Sequence, residues 1–248
     1  RFDRVADRYD ETRGGEERGR LLAGEIDPLL DRQRPTLEIG VGTGLVALAL
    51  RELGHRVVGV DLSAPMAARA ADRLGPVVAV GDAMRLPVAD AVLDQAVSVW
   101  VLHLVGDQSA VLAEVARVLR PGGRYLVAPG HLARPEDELG VILWDLDRLL
   151  DPGKERVDDA QRLRSLGPAA GLRLVEVRRC APRRFEMSPE EVARNTEERM
   201  YSILWDVDDE TWRDLVDPVI RRLRGLPDPE RPRPRVHEYE VIVLERTV

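Results

Sequence analysis

The 248 residues are 44% hydrophobic, enough to bury a full core in a single elaborated α/β domain. A formal charge of -7 argues against a nucleic-acid partner, whose phosphates need clustered basic residues, and no run of about 18 apolar residues reads as a membrane span. One cysteine, Cys180, leaves no internal disulfide or thiolate cluster, and four histidines without ligand spacing give no metal site. The charged opening residues do not read as a signal peptide, so the expected location is cytoplasmic.

In chain order, Gly15–Leu30 has a helical pattern with Leu21, Leu22, Ile26, Leu29 and Leu30 apolar; it is expected to pack beside a sheet and present residues 1–14 as a flap. From 36 to 128, short β-branched runs alternate with helical stretches, which predicts a parallel sheet covered by helices on both faces. The strands are expected at Thr36–Gly40, Arg56–Asp61, Pro76–Val80, Asp94–Val99 and Arg124–Ala128. Between them, Leu45–Leu53 stops at Gly54, a second helix runs from the cap Ser63 to Gly75, and a third runs from Asp107 to Leu119 before Pro121-Gly122-Gly123. A charged insertion over 131–160 then precedes a helix near Gln161–Ala170 and a strand at Leu172–Cys180. Further on, Ser188 caps a helix over Pro189–Leu204 and another spans Asp209–Leu223. A proline-rich connector leads to a last strand at Val236–Arg246, so that 186–235 forms a helical excursion between the last two strands.

The segment LEIGVGTG, residues 37–44, sets Gly40, Gly42 and Gly44 at alternate positions where a strand turns into a helix. Glycine suits a backbone that must turn sharply and admit a ligand close to the amides of the following helix. A nicotinamide site would want its third glycine one residue later, where Leu45 stands, and Glu38 suits an ammonium better than a pyrophosphate. Asp61, ending the second strand, can accept two ribose hydroxyls, and the next two strand ends bring Gly81-Asp82-Ala83 and Trp100 to the same crevice.

Together, LEIGVGTG, GVDLS (59–63), GDAMRLPVAD (81–90), VSVWVLHLV (97–105) and VLRPGG (118–123), with FDRVADRYD at 2–10, resemble the class I S-adenosylmethionine-dependent methyltransferases, in their ubiquinone/menaquinone-biosynthesis-like small-molecule branch. The resemblance implies a Rossmann-like three-layer sandwich whose seven-stranded sheet has the order 3-2-1-4-5-7-6 with the last strand antiparallel, plus helical cap insertions. It implies one domain, with a flap over 1–34 and a cofactor core over 35–130, that binds S-adenosylmethionine and leaves S-adenosylhomocysteine. Glu38 with the backbone near Gly40 and Trp100 would hold the ammonium, and Gly42 and Gly44 would give room for the amino-acid portion. Asp61 would take the ribose, Leu62 and Met66 would flank the adenine, Asp82 and the Ala83 amide would read its edge, and Tyr9 would close over the carboxylate.

The acceptor would be a small molecule with an O, N or C nucleophile. His103, following the fourth strand, is the candidate base, with His131 as a second. Tyr201 and Trp205 are candidates for an apolar acceptor pocket, in a cover expected from 186–224 and the flap. A protein using the same cofactor site for other chemistry is the alternative, because fold does not fix function. The oligomeric state is not legible.

Overall fold

The computed structural model describes residues 10, 15–130, 135–152 and 158–247. They form two compact units, the first from the described residues of 1–131, 156–180 and 240–248, the second from those of 132–155 and 181–239. Tyr9, His131 and the 1–14 flap, apart from Asp10, lie outside the described residues.

The first unit is built on a seven-stranded sheet: β1 (Pro35–Ile39), β2 (Arg56–Asp61), β3 (Val78–Val80), β4 (Leu93–Val99), β5 (Leu119–Ala128), β6 (Leu172–Arg179) and β9 (Glu240–Arg246). Their spatial order is β3-β2-β1-β4-β5-β9-β6. β1 to β5 are mutually parallel, and β9 runs antiparallel to both β5 and β6. That is the expected order and polarity, with β9 as the strand inserted last. The central strands are buried on both faces, so their burial does not alternate along the strand. On β9, Val241 and Val243 join the core that includes Leu22 and Ile26, whereas Ile242 and Leu244 join the one that includes Val111 and Leu112. Leu126 and Ala128 alternate with Tyr125 and Val127 on β5 in the same way.

Helix α1 (Gly15–Ile26) and α2 (Leu45–Glu52) supply the first core, and α4 (Gln108–Val118) and α6 (Ala160–Leu166) the second. α3 (Ala64–Leu74) starts where Ser63 accepts the Met66 amide and ends at Gly75, whose φ is +78°. Asp107 caps α4 through the Ala110 amide. These boundaries agree with the sequence within a residue because each rests on a local cap or glycine stop. β5 differs: it begins at Leu119, not Arg124, and the Pro121-Gly122-Gly123 turn lies within it. The register steps from Leu93↔Leu119 to Gln95↔Arg124, so the turn is a bulge between two paired stretches.

The second unit contains α5 (Glu138–Leu150), α7 (Pro189–Glu197), α8 (Asp217–Arg224) and a two-stranded antiparallel ribbon of β7 (Arg183–Met187) and β8 (Arg233–His237). Its core joins Leu139, Ile142 and Leu146 of α5 to Val192, Leu204, Val216, Ile220 and Leu223. α5 and both ribbon strands escape the sequence reading, which gives a charged insertion, no strand at 183–187 and one strand across 236–246. The expected helix over 189–204 ends at Glu197, followed by a 3-10 turn at Ser202–Leu204. The helix over 209–223 is interrupted by a π turn at Trp212–Val216 just before Pro218, a residue with no amide for the regular α ladder. Among the described residues, no helix is long and apolar enough to cross a membrane.

Candidate active site at the carboxyl ends of the parallel strands

Because β1 to β5 are parallel, their carboxyl ends share one edge, and the order reverses between β1 and β4, where open α/β sheets hold ligands. The 40–44 loop leaves β1 at that point. Gly40, Gly42 and Gly44 all have positive φ, at +70°, +56° and +84°. A Cβ on Gly40 would lie 2.4 Å from Val101 Cγ2, and one on Gly44 would lie 3.1 Å from the Ala70 Cα. At Gly42 a Cβ would meet nothing within 4 Å. Two of the glycines therefore serve packing, and the middle one faces open space, as a cradle for a ligand does. α2 follows Gly44 with no side-chain cap.

Glu38 is the chemically unusual residue of this edge. It is 2% exposed on β1, paired with Gly59 and Val97 on either side, and its Oε2 has no hydrogen-bond partner. Burial pushes its carboxyl up to about 8, the negative Asp61 adds to that, and a hydrogen bond from the Ala47 amide opposes both. A buried carboxyl with an unfilled acceptor fits an ammonium, which would supply both charge and donor.

Asp61 does more than end β2. Its Oδ2 accepts the Gly42 amide at 2.7 Å and its Oδ1 the Ser63 amide at 2.9 Å, so the carboxylate pins the glycine loop to the second strand. Leu62, next to it, is 71% exposed, an apolar side chain open to a flat ring. Met66, expected opposite it, is 1% exposed with Ala67, Ala70 and Leu74 on the buried face of α3. Its helical phase turns it inward. Asp82 accepts the Met84 amide at 2.8 Å in a tight turn, and Ala83 is half-buried against the second core. Trp100 has φ +55°, a rare conformation for a bulky residue, held by its amide to the Ala128 carbonyl and by the Arg18 guanidinium 3.4 Å from its ring centroid. Such strain concentrates at ligand sites.

His103 sits in a 3-10 turn (Leu102–Leu104) just past β4, with Nδ1 3.2 Å from Asp158 Oδ2. Sequence reasoning missed Asp158, which no spacing connects to His103. It also missed Asp10, whose carboxylate accepts from the Thr43 hydroxyl and from Arg73, tying residue 10 to the glycine loop. Tyr201 and Trp205 lie in the second unit. Trp205 Nε1 donates to the Arg199 carbonyl, and Arg199 donates to the Leu204 and Val207 carbonyls while covering the Trp212 ring. That network makes Trp205 a fastener of its loop, and Tyr201 packs against the unit's core. Among the described residues, no cluster of His, Cys, Asp or Glu could hold a metal.

Residues 37–127 match the family model described as a methyltransferase domain. The sheet order and the strand-edge site fit the Rossmann-like fold of such a domain. In sequence the chain is similar to the demethylmenaquinone methyltransferase of Mycolicibacterium vanbaalenii, at 37% identity over 147 residues, 58% of this chain and 63% of that protein. The demethylmenaquinone methyltransferase of Mycolicibacterium paratuberculosis is 39% identical over the same shares. The match thus spans less than two thirds of these relatives. Among solved structures, the fold resembles the phosphoethanolamine N-methyltransferase 2 of Haemonchus contortus in complex with S-adenosyl-L-methionine. The TM-score is 0.57 at 18% identity, covering 100% of this chain and 60% of that one. It also resembles the cyclase SpnF, with a TM-score of 0.61 at 20% identity, covering 100% and 94%.

Proposed function

We propose that the protein transfers a methyl group from S-adenosylmethionine to a nucleophile on a small molecule. The observation that carries this is Glu38, a buried carboxyl with an unfilled acceptor, within electrostatic reach of the Asp61 that accepts the amide of the open Gly42. The sulfonium cofactor supplies an electrophilic methyl, so the chain's own task is to bind, align and, where needed, take a proton.

In this reading Glu38 holds the ammonium, and Gly42 admits the amino-acid portion. Asp61 serves twice, shaping the glycine loop and accepting the ribose hydroxyls. Leu62 lies against the adenine, with Asp82 and the Ala83 amide at its edge and the strained Trp100 backbone completing the ammonium pocket. His103 is the base for an acceptor that carries its proton into the reaction; an acceptor that is already nucleophilic needs only proximity. Demethylmenaquinone, named for the sequence relatives, is the first acceptor to test.

Calorimetry tests cofactor choice: the protein should bind S-adenosylhomocysteine and not NAD. Transfer of labelled methyl to reduced demethylmenaquinone then tests the acceptor. Tight NAD binding with no S-adenosylhomocysteine binding would overturn the proposal.

A further inference from the structure

His103 is gripped from a part of the chain that none of the core motifs reaches. The Asp158 oxygen facing its Nδ1 also accepts the Gly130 amide at 2.9 Å. The Asp158 side chain is 4% exposed, and that of His103 13%. At Gly130 a Cβ would lie 2.4 Å from Nδ1 and Cε1 of the imidazole, so only glycine lets the ring approach this backbone. Nearby, Tyr125 is fully buried and shares a 2.6 Å hydrogen bond with Ser98. Burial pushes its phenol up, the Ser98 bond opposes, and the negative charge of Asp158 adds to the rise. The carboxylate thus sits within electrostatic reach of a buried tyrosine on one side and bonds an imidazole on the other.

An ionised carboxylate can only accept hydrogen bonds. Facing Nδ1, it selects the tautomer with the proton on Nδ1 and the lone pair on Nε2. A third group orienting a base is the recurring arrangement where an imidazole must take a proton on cue. A buried carboxylate is also costly to desolvate, so a place for it next to a largely buried histidine is unlike an incidental surface pair.

We infer that Asp158 is a positioning residue for His103, holding it with Nε2 ready to receive a proton from an acceptor hydroxyl. The inference rests on the methyl-transfer reading. On a hydroquinol such as reduced demethylmenaquinone, the hydroxyl proton passes to Nε2 and the O–H pair becomes the C=O bond, while the ring π pair at the adjacent carbon forms the bond to the methyl carbon and the carbon–sulfur pair stays on sulfur. Loss of that carbon's own proton restores the aromatic ring. The resulting imidazolium is stabilised by Asp158 and returns its proton to water. The acceptor class that needs this arrangement is a hydroxyl that is not ionised at neutral pH.

Two measurements on the full chain decide it. In nitrogen-15 NMR, neutral His103 should carry its proton on Nδ1, and Asp158→Asn should shift it toward the Nε2–H tautomer. A wild-type His103 protonated on Nε2 alone overturns the inference, with or without turnover. In labelled-methyl assays with reduced demethylmenaquinone, Asp158→Asn should lower kcat at least tenfold, with apparent KM and S-adenosylhomocysteine affinity within twofold of wild type. In a His103→Ala background, the same substitution should lower kcat no further. Independent, multiplying losses would show that Asp158 does not act through His103 and sink the proposal. If wild type transfers no methyl to this acceptor, the acceptor assignment fails, while the tautomer measurement still decides whether Asp158 sets the histidine.

Discussion

Replacing Glu38 with glutamine removes a buried negative charge while keeping the side chain's shape and its acceptor for the Ala47 amide. In the folded protein this carboxyl titrates at about 8 against 4.5 ordinarily, so the folded state holds a proton that the unfolded chain has released. Below pH 4.5 both states are protonated and the contribution to stability is complete. As pH rises from 4.5 to about 8 the unfolded chain ionises alone, and stability falls by about 1.4 kcal/mol per pH unit, on the order of 5 kcal/mol across the window. Above 8 the loss is complete.

An ammonium in the site reverses the preference, because it favours the ionised carboxyl. Binding of S-adenosylhomocysteine at pH 6–8 should therefore release a proton, and affinity should rise up to about tenfold per pH unit before levelling near 8. Glu38→Gln should abolish both slopes. It should make the cofactor-free protein more stable than wild type at pH 8 and weaken binding there by roughly 1.5–3 kcal/mol, the scale of a hydrogen bond to a charged group. Denaturant unfolding at several pH values reads the first effect. Calorimetry in buffers of different ionisation enthalpy counts the proton. Wild-type affinity that stays flat from pH 6 to 8, with no proton released, would refute the assignment of Glu38 to the ammonium.

The glycines of the loop should separate by consequence. Gly42→Ala should cost about 1 kcal/mol in folding, from its positive φ, yet largely abolish cofactor binding, whereas Gly40→Ala should first lower the melting temperature through its contact with Val101. Equal effects of the two on binding and stability would contradict a cradle at Gly42. Asp61→Asn should weaken S-adenosylhomocysteine binding by roughly 1.5–3 kcal/mol, and Gly42 amide exchange should quicken because the charge-assisted bond at 2.7 Å is weakened; unchanged exchange would mean the carboxylate does not hold the loop. Trp205→Phe removes the donor to the Arg199 carbonyl and should destabilise the chain by about 1 kcal/mol, without altering cofactor affinity in calorimetry. A selective loss of cofactor binding would place Trp205 in the cofactor site.

Local chemistry made much of the first unit legible. Ser63 and Asp107 announce their helices, Gly75 ends one, and the runs at 57–60 and 241–244 are apolar because those strands are covered on both faces. The three glycines and Asp61 could be assigned to one site from sequence because a parallel sheet sends successive strand ends to the same edge. α5 carried a readable signal, Leu139, Ile142 and Leu146 on one helical face, that its charged surroundings concealed. β7 and β8 carried little, because three of five residues in the first are charged and the second holds Pro234 among arginines; only their mutual pairing makes them strands.

What the tertiary structure alone decided are facts of direction and distant pairing. Leu62 and Met66 are four residues apart, yet Leu62 lies exposed in the loop before α3, whereas the helix turns Met66 to the core. The family resemblance gave both a place beside the adenine. Asp158 meets His103 across 55 residues, and Asp10 reaches Thr43 across 33, encounters set by chain packing and by no local spacing. Glu38 shows both sides. The sequence names the acid before a glycine loop, but only burial between Gly59 and Val97, with Asp61 nearby, lifts its carboxyl to about 8 and leaves one oxygen for a charged ligand.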